Sequence, residues 1–164
     1  MSPLVHHQID NALLLATAGK GRPRPASLRR AVSTAYYAVF QALCATCADR
    51  LVGPGQPWSV YTPVFRALDH RATAQVLQEP VFAASPGLKR IGLLLKELQG
   101  AREWADYNPE PRPDYRSGTN DSSFTRQEAL RLIDSAIEVL DILDQLDDDA
   151  RLKLAVRHVA RTRK

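Results

Sequence analysis

Arg29-Arg30-Ala31-Val32-Ser33-Thr34-Ala35-Tyr36-Tyr37-Ala38-Val39-Phe40 is the stretch that decides the fold. It lies inside a segment that reads as one long helix, capped by Ser27 and running to about Val52. Leu28, Val32, Ala35, Val39 and Leu43 fall on one stripe of that helix. Tyr36, Phe40, Leu43, Cys47 and Leu51 form a second stripe beside it. Two adjacent stripes make a wide apolar surface that several neighbours must cover. The segment is therefore predicted to be the central helix of an all-α protein. Gly53-Pro54-Gly55-Gln56-Pro57 ends it.

Helical periodicity continues on both sides, with no strand alternation. Pro3 to about Gly19 reads as a first helix, with Ile9, Ala12, Leu13 and Ala16 on one face. Gly19 to Pro25 is a basic connection rich in Gly and Pro. Trp58 to about Leu77 predicts one or two short helices, with Pro63 limiting the first turn. Ser85-Pro86 is a cap followed by a good first-turn residue, opening a helix to about Tyr107. Asn108 to Ser123 is a polar loop. Thr125-Arg126-Gln127-Glu128 is a capping box for a helix to about Leu146, carrying Leu130, Ile133, Ile137 and Leu140. A last helix, about Asp148 to Arg161, presents Leu152, Val156 and Val159. Antiparallel packing of four main helices buries these faces most simply. The expected architecture is an up-and-down four-helix bundle with additional short helices, over residues 1–147. Residues 148–164 form a C-terminal basic helix or tail.

With 164 residues the chain is long enough to bury a real core. Lys+Arg 22 against Asp+Glu 18 gives a net charge of +4, an excess that permits an anionic partner such as RNA without demanding one. Lys20, Arg22, Arg24, Arg29 and Arg30 cluster early, and Arg151 to Lys164 is a basic end. These groups, Arg30 among them, can track a phosphate backbone or form a solvated surface. No run of 18 apolar residues exists, and the N-terminus, with His6, His7 and Asp10, lacks the pattern of a signal peptide. No membrane partner is expected, and the chain reads as cytoplasmic. Cys44 and Cys47 are the only cysteines; inside a helix, with no second pair, they read as packing and not as a metal site. Neither a metal nor another cofactor is expected.

In Ala101-Arg102-Glu103-Trp104-Ala105-Asp106-Tyr107, Leu88, Ile91, Leu95 and Leu98 line one helix face, and Arg102 is the next position on that line. A buried charge needs a partner. Arg102 and Asp106 are spaced i, i+4, so the arginine is either half of an ion pair, a phosphate ligand or a catalytic group. Tyr37, about 100° round the helix from Tyr36, faces Arg102 or a second subunit.

Ala31-Val32-Ser33-Thr34-Ala35-Tyr36-Tyr37-Ala38-Val39-Phe40 and Arg102-Glu103-Trp104-Ala105-Asp106-Tyr107, in that order and at that spacing, resemble the small stand-alone prokaryotic members of the HEPN superfamily. The likeness covers roughly residues 4 to 146. It implies a four-helix bundle that dimerises. It further implies an RNA-directed role, as a metal-independent ribonuclease toxin paired with a nucleotidyltransferase-like antitoxin or as part of phage defence. A non-catalytic module that docks such a partner, or a nucleic acid, is the alternative.

The active site of such proteins is an arginine followed, a few residues on, by a histidine. Arg102 matches the arginine, whereas Tyr107, Asn108 and Pro109 occupy the positions where the histidine would fall. RNA cleavage by its own 2′-hydroxyl needs a group that takes a proton and returns it, and imidazole suits that work near neutral pH. A carboxylate or a phenol does not titrate there. The motif thus keeps its phosphate-binding half, with Arg102, Asp106 and Tyr107 as the catalytic candidates and a histidine from elsewhere as the alternative proton carrier. His70, in Phe65-Arg66-Ala67-Leu68-Asp69-His70, falls where similar proteins often carry a histidine, and can approach the Arg102 end of the bundle. Tyr37, His70 and Arg30 are the binding candidates.

Overall fold

Proline opens three of the helices, because its missing N–H and fixed φ suit a first turn. The structure, a computed structural model, describes residues 3–19, 21, 23–108 and 124–160. The helices are α1 (Pro3–Thr17), α2 (Pro25–Leu51), α3 (Trp58–Phe65), α4 (His70–Val76), α5 (Pro86–Tyr107), α6 (Arg126–Gln145) and α7 (Asp148–Val159), with a 3-10 turn at Pro80–Phe82. No strand occurs among the described residues.

Local signals account for most boundaries. Ser85 Oγ accepts from the Leu88 N–H, and Thr125 and Glu128 form the predicted reciprocal box. Asp147 caps α7 by accepting from Ala150 N–H at 2.7 Å. Ser27 is not the cap of α2: the helix starts at Pro25, with Arg24 as an N-cap that makes no side-chain bond. Pro63 does not stop α3, which runs on to Phe65.

Both stripes of α2 are buried except at Leu51, and α2 packs against α1, α5, α6 and α7. With α5 also on α6, and α1 on α6, helices α1, α2, α5 and α6 form the up-and-down bundle around α2. By length and composition α2 would also suit a membrane, but most of that span is core. On α6 the expected Ile133 and Leu140 are buried, joined by Ala129, Leu132, Ala136 and Leu143, while Leu130 and Ile137 only flank the core.

Of the predicted face of α7 only Val159 packs against the core. Ala150, Leu154, Ala155 and His158 are buried, whereas Leu152 and Val156 are exposed. Alanines weigh little in a hydrophobic pattern, yet they allow close packing, and α7 lies against α2 on that side. Its buried apolar residues join the same core as the bundle. The loop at 109–123 (with Pro109), Lys20, Arg22 and the tail at 161–164 lie outside the described residues.

Candidate functional site

Along α5 the apolar line Leu88, Ile91, Leu95, Leu98 is buried and leads, as predicted, to Arg102. The Arg102 side chain is only 12% exposed. Three tyrosines surround it: the guanidinium carbon stands 5.7 Å from the Tyr36 ring centre, 5.1 Å from Tyr37 and 5.0 Å from Tyr107. Its Nη2 donates to the Tyr37 hydroxyl and, at 3.2 Å, to the Tyr107 hydroxyl. Nε lies 3.0 Å from Asp106 Oδ2, and the Asp106 side chain is 22% exposed. The Nε–H is not aimed at the carboxylate, so the contact is an ion pair without a hydrogen bond. Burial works against the Arg102 charge, but the Tyr37 hydrogen bond and the surrounding groups outweigh it and hold the pKa above its ordinary value. The arginine is a fixed cation. Its Nη1 makes no hydrogen bond among the described residues.

The histidine absent from α5 arrives from α4. Asp69 caps that helix by accepting from Arg71 N–H and Ala72 N–H, which places His70 in its first turn. Gly92 lets α4 approach α5 closely, since a Cβ there would stand 3.1 Å from the Leu77 carbonyl oxygen. The His70 ring stacks on Phe40 with centres 3.7 Å apart, and lies edge-on to Tyr37 at 5.8 Å. His70 Nδ1 is 3.0 Å from the Tyr36 hydroxyl. Burial, and then the Arg102 charge, lower the His70 pKa below the ordinary histidine value, with Asp69 opposing. Burial raises that of Tyr36, with Arg102 opposing. The phenol is therefore protonated beside a neutral ring, and it donates to Nδ1 or accepts from it according to the ring's tautomer.

A cleft of about 450 Å³ lies between the start of α2 and the end of α5, lined in part by Arg29, Arg30, Asp106 and Tyr107; it reaches Asp106 and Tyr107, while Arg102 and His70 are not on its walls. Arg30 is exposed and lies two turns before Tyr37 on the same side of α2, about 10 Å away along the axis. Arg29 points into the fold: it stacks over Trp104 at 4.7 Å and donates to the Trp104 carbonyl at 3.1 Å and to the Asn108 carbonyl. It thus closes the C-terminal end of α5, the segment that carries Arg102, Asp106 and Tyr107.

The site joins Arg102, Asp106, Tyr107, Tyr37 and His70, with Arg30 at the cleft mouth. Two participants escaped the sequence reading. Tyr36, read as packing, is the hydrogen-bond link to His70. Arg29, read as one of a basic cluster, is a helix-end clamp. The signal for Arg29 was available, because it extends the Tyr36–Phe40 stripe by two turns, just as Arg102 extends that of α5. Cys44 and Cys47 are buried free thiols whose pKa values burial pushes up to about 12, which fits packing. No group of three metal-ligating side chains occurs among the described residues. Compared with family models, curated proteins and solved structures, the chain matches none.

Proposed function

We propose that this protein is a HEPN-like, metal-independent RNA endonuclease of the cytoplasm, working in a toxin–antitoxin or phage-defence setting. The observation that carries the reading is that adjacent Tyr36 and Tyr37 of α2 each touch both Arg102 and His70. A fixed cation and a neutral imidazole are thereby held in one small space. Arg102 holds the scissile phosphate and stabilises the charge that builds on its oxygens as the 2′-oxygen attacks. His70 accepts the 2′-hydroxyl proton on Nε2, its own ring proton being on Nδ1 and donated to the Tyr36 hydroxyl oxygen, as the 2′-oxygen–phosphorus bond forms. The bond from phosphorus to the 5′-oxygen breaks, and the imidazolium returns its proton to that leaving oxygen. The products are a 2′,3′-cyclic phosphate and a 5′-hydroxyl. Arg30, at the cleft mouth, contacts a neighbouring phosphate. A homodimer and a nucleotidyltransferase-like antitoxin are the partners this reading calls for.

The test is cleavage of a labelled single-stranded RNA in the presence of a chelator. Arg102→Ala is expected to lower the rate about 10²- to 10³-fold, the usual loss of one transition-state donor. Equal rates for the two proteins would remove Arg102 from the chemistry.

A second reading rests on the three side chains of the same chain that already engage Arg102, namely Tyr37, Tyr107 and Asp106. A site so filled suits a docking module that binds the partner or a nucleic acid without turnover. That reading predicts no cleavage and a stoichiometric complex on purification.

A further inference from the structure

The eight residues of α3, Trp58-Ser59-Val60-Tyr61-Thr62-Pro63-Val64-Phe65, are mostly apolar, yet none is buried. Trp58 is 78% exposed. Leaving a tryptophan in water forgoes much of its hydrophobic stabilisation. Three aromatics form a continuous ladder on this helix: the Trp58 ring meets the Tyr61 ring edge-on at 5.7 Å, and Tyr61 stacks with Phe65 at 6.1 Å. The ladder is held in place. Tyr61 donates to Asp49 Oδ1 at 2.9 Å, and Gly53 and Gly55, with φ of 88° and 83°, turn the chain so that α3 packs back against the C-terminal part of α2.

The charges around the ladder favour one occupant. Arg66, at the C-terminal end of α3, and Arg71, on α4, are exposed and their guanidinium groups make no hydrogen bond or ion pair among the described residues. The nearby carboxylates are engaged, Asp49 by Tyr61 and Asp69 by the α4 backbone. Free cations beside flat aromatic faces suit a strand of unpaired bases and phosphates. Aromatic rings also suit protein and lipid interfaces, and it is the two unpaired arginines beside them that favour a polyanionic strand here. Phe65 precedes His70 by five residues, so the end of α3 lies within about 17 Å of the proposed site along the chain.

We propose that α3 is a stacking platform for unpaired bases of the strand that enters the Arg102–His70 site. Trp58 and Tyr61 carry the bases, and Arg66 and Arg71 follow the phosphates. The proposal rests on the RNA reading above and assigns the strand its path across the protein.

The experiment measures binding of a fluorescein-labelled oligodeoxythymidylate, which lacks the 2′-hydroxyl and is not cut by the proposed route. Wild type is compared with Trp58→Ala and Trp58→Phe, with a labelled DNA hairpin duplex as control. Trp58→Ala is expected to weaken single-strand binding about 5- to 150-fold. Trp58→Phe should retain most of the affinity, and duplex binding should not change. Because Trp58 is exposed, the thermal midpoint should hold and show that the variant is folded. Unchanged single-strand affinity in Trp58→Ala, or no binding by wild type, would overturn the platform. So would a Trp58→Ala effect confined to self-association or vesicle binding. Loss of the platform with cleavage intact separates this proposal from the endonuclease reading. Loss of cleavage with Trp58-dependent binding intact does the reverse.

Discussion

Burying the Arg102 guanidinium costs hydration, and the three tyrosines and Asp106 offset that cost by hydrogen bonds, ring faces and a counter-charge. The sequence made this arginine legible because it interrupts an apolar line, and a charge there must have partners. It did not identify them, since Tyr36 and Tyr37 belong to another helix and also read as core. His70 was legible only as a candidate for the same reason: nothing in its neighbourhood along the chain shows that α4 folds back onto Tyr36 and Phe40. Its lowered pKa has a consequence for stability. Above about pH 6.5, the ordinary histidine value, the ring is neutral both folded and unfolded and contributes no pH dependence. As the pH falls through that value the unfolded ring takes up a proton before the folded one, so the folded state loses stability down to the lowered folded pKa. Thermal midpoints should therefore fall on acidification below about pH 6.5. His70→Gln should flatten that fall relative to wild type. Parallel curves for the two proteins would contradict the environment assigned to His70.

At the scale of the element, caps and prolines were readable because each acts over a single turn. The Ser85, Thr125 and Pro86 signals set the ends of α5 and α6 within a residue of the expected positions. Faces were less readable where alanine does the packing. In α7 the bulkier line Leu152–Val156 outweighs Ala150, Leu154 and Ala155 on paper, but the alanines allow the closer contact with α2. The expected outcome is that Leu154→Ala costs about 2–5 kcal/mol of unfolding free energy, as buried leucines do. Leu152→Ala should stay within about 0.5 kcal/mol, as exposed positions do. Chemical denaturation of both variants distinguishes the two faces, and the opposite order would restore the face predicted from the sequence. The end of α5 depends in addition on Arg29, whose bond to the Asn108 carbonyl occupies an acceptor that the helix C-terminus leaves open, and whose bond to the Trp104 carbonyl adds a second donor to an oxygen already bonded to the Asn108 N–H.

Across the whole molecule, one helix organises both fold and site. α2 supplies the centre of the core, and from successive turns it presents Arg29 and Arg30 to the end of α5, then Tyr36 and Tyr37 to Arg102 and His70. The bundle was legible from the two stripes of α2, because a surface that wide leaves few alternatives to surrounding helices. The union of α4 with α5 was not, because it depends on the path of short helices and on Gly92, which reads as an ordinary helix residue. The central claim is that a neutral His70 beside a fixed Arg102 moves the proton in RNA cleavage. The pH–rate profile of 2′,3′-cyclic phosphate formation, measured in chelator for wild type and His70→Gln, tests it most directly. The account predicts a wild-type rate that is level near neutrality and falls on acidification only below about pH 6.5, with that limb and most of the rate absent from His70→Gln. A His70→Gln variant that forms the cyclic product at the wild-type rate and with the same profile would contradict it.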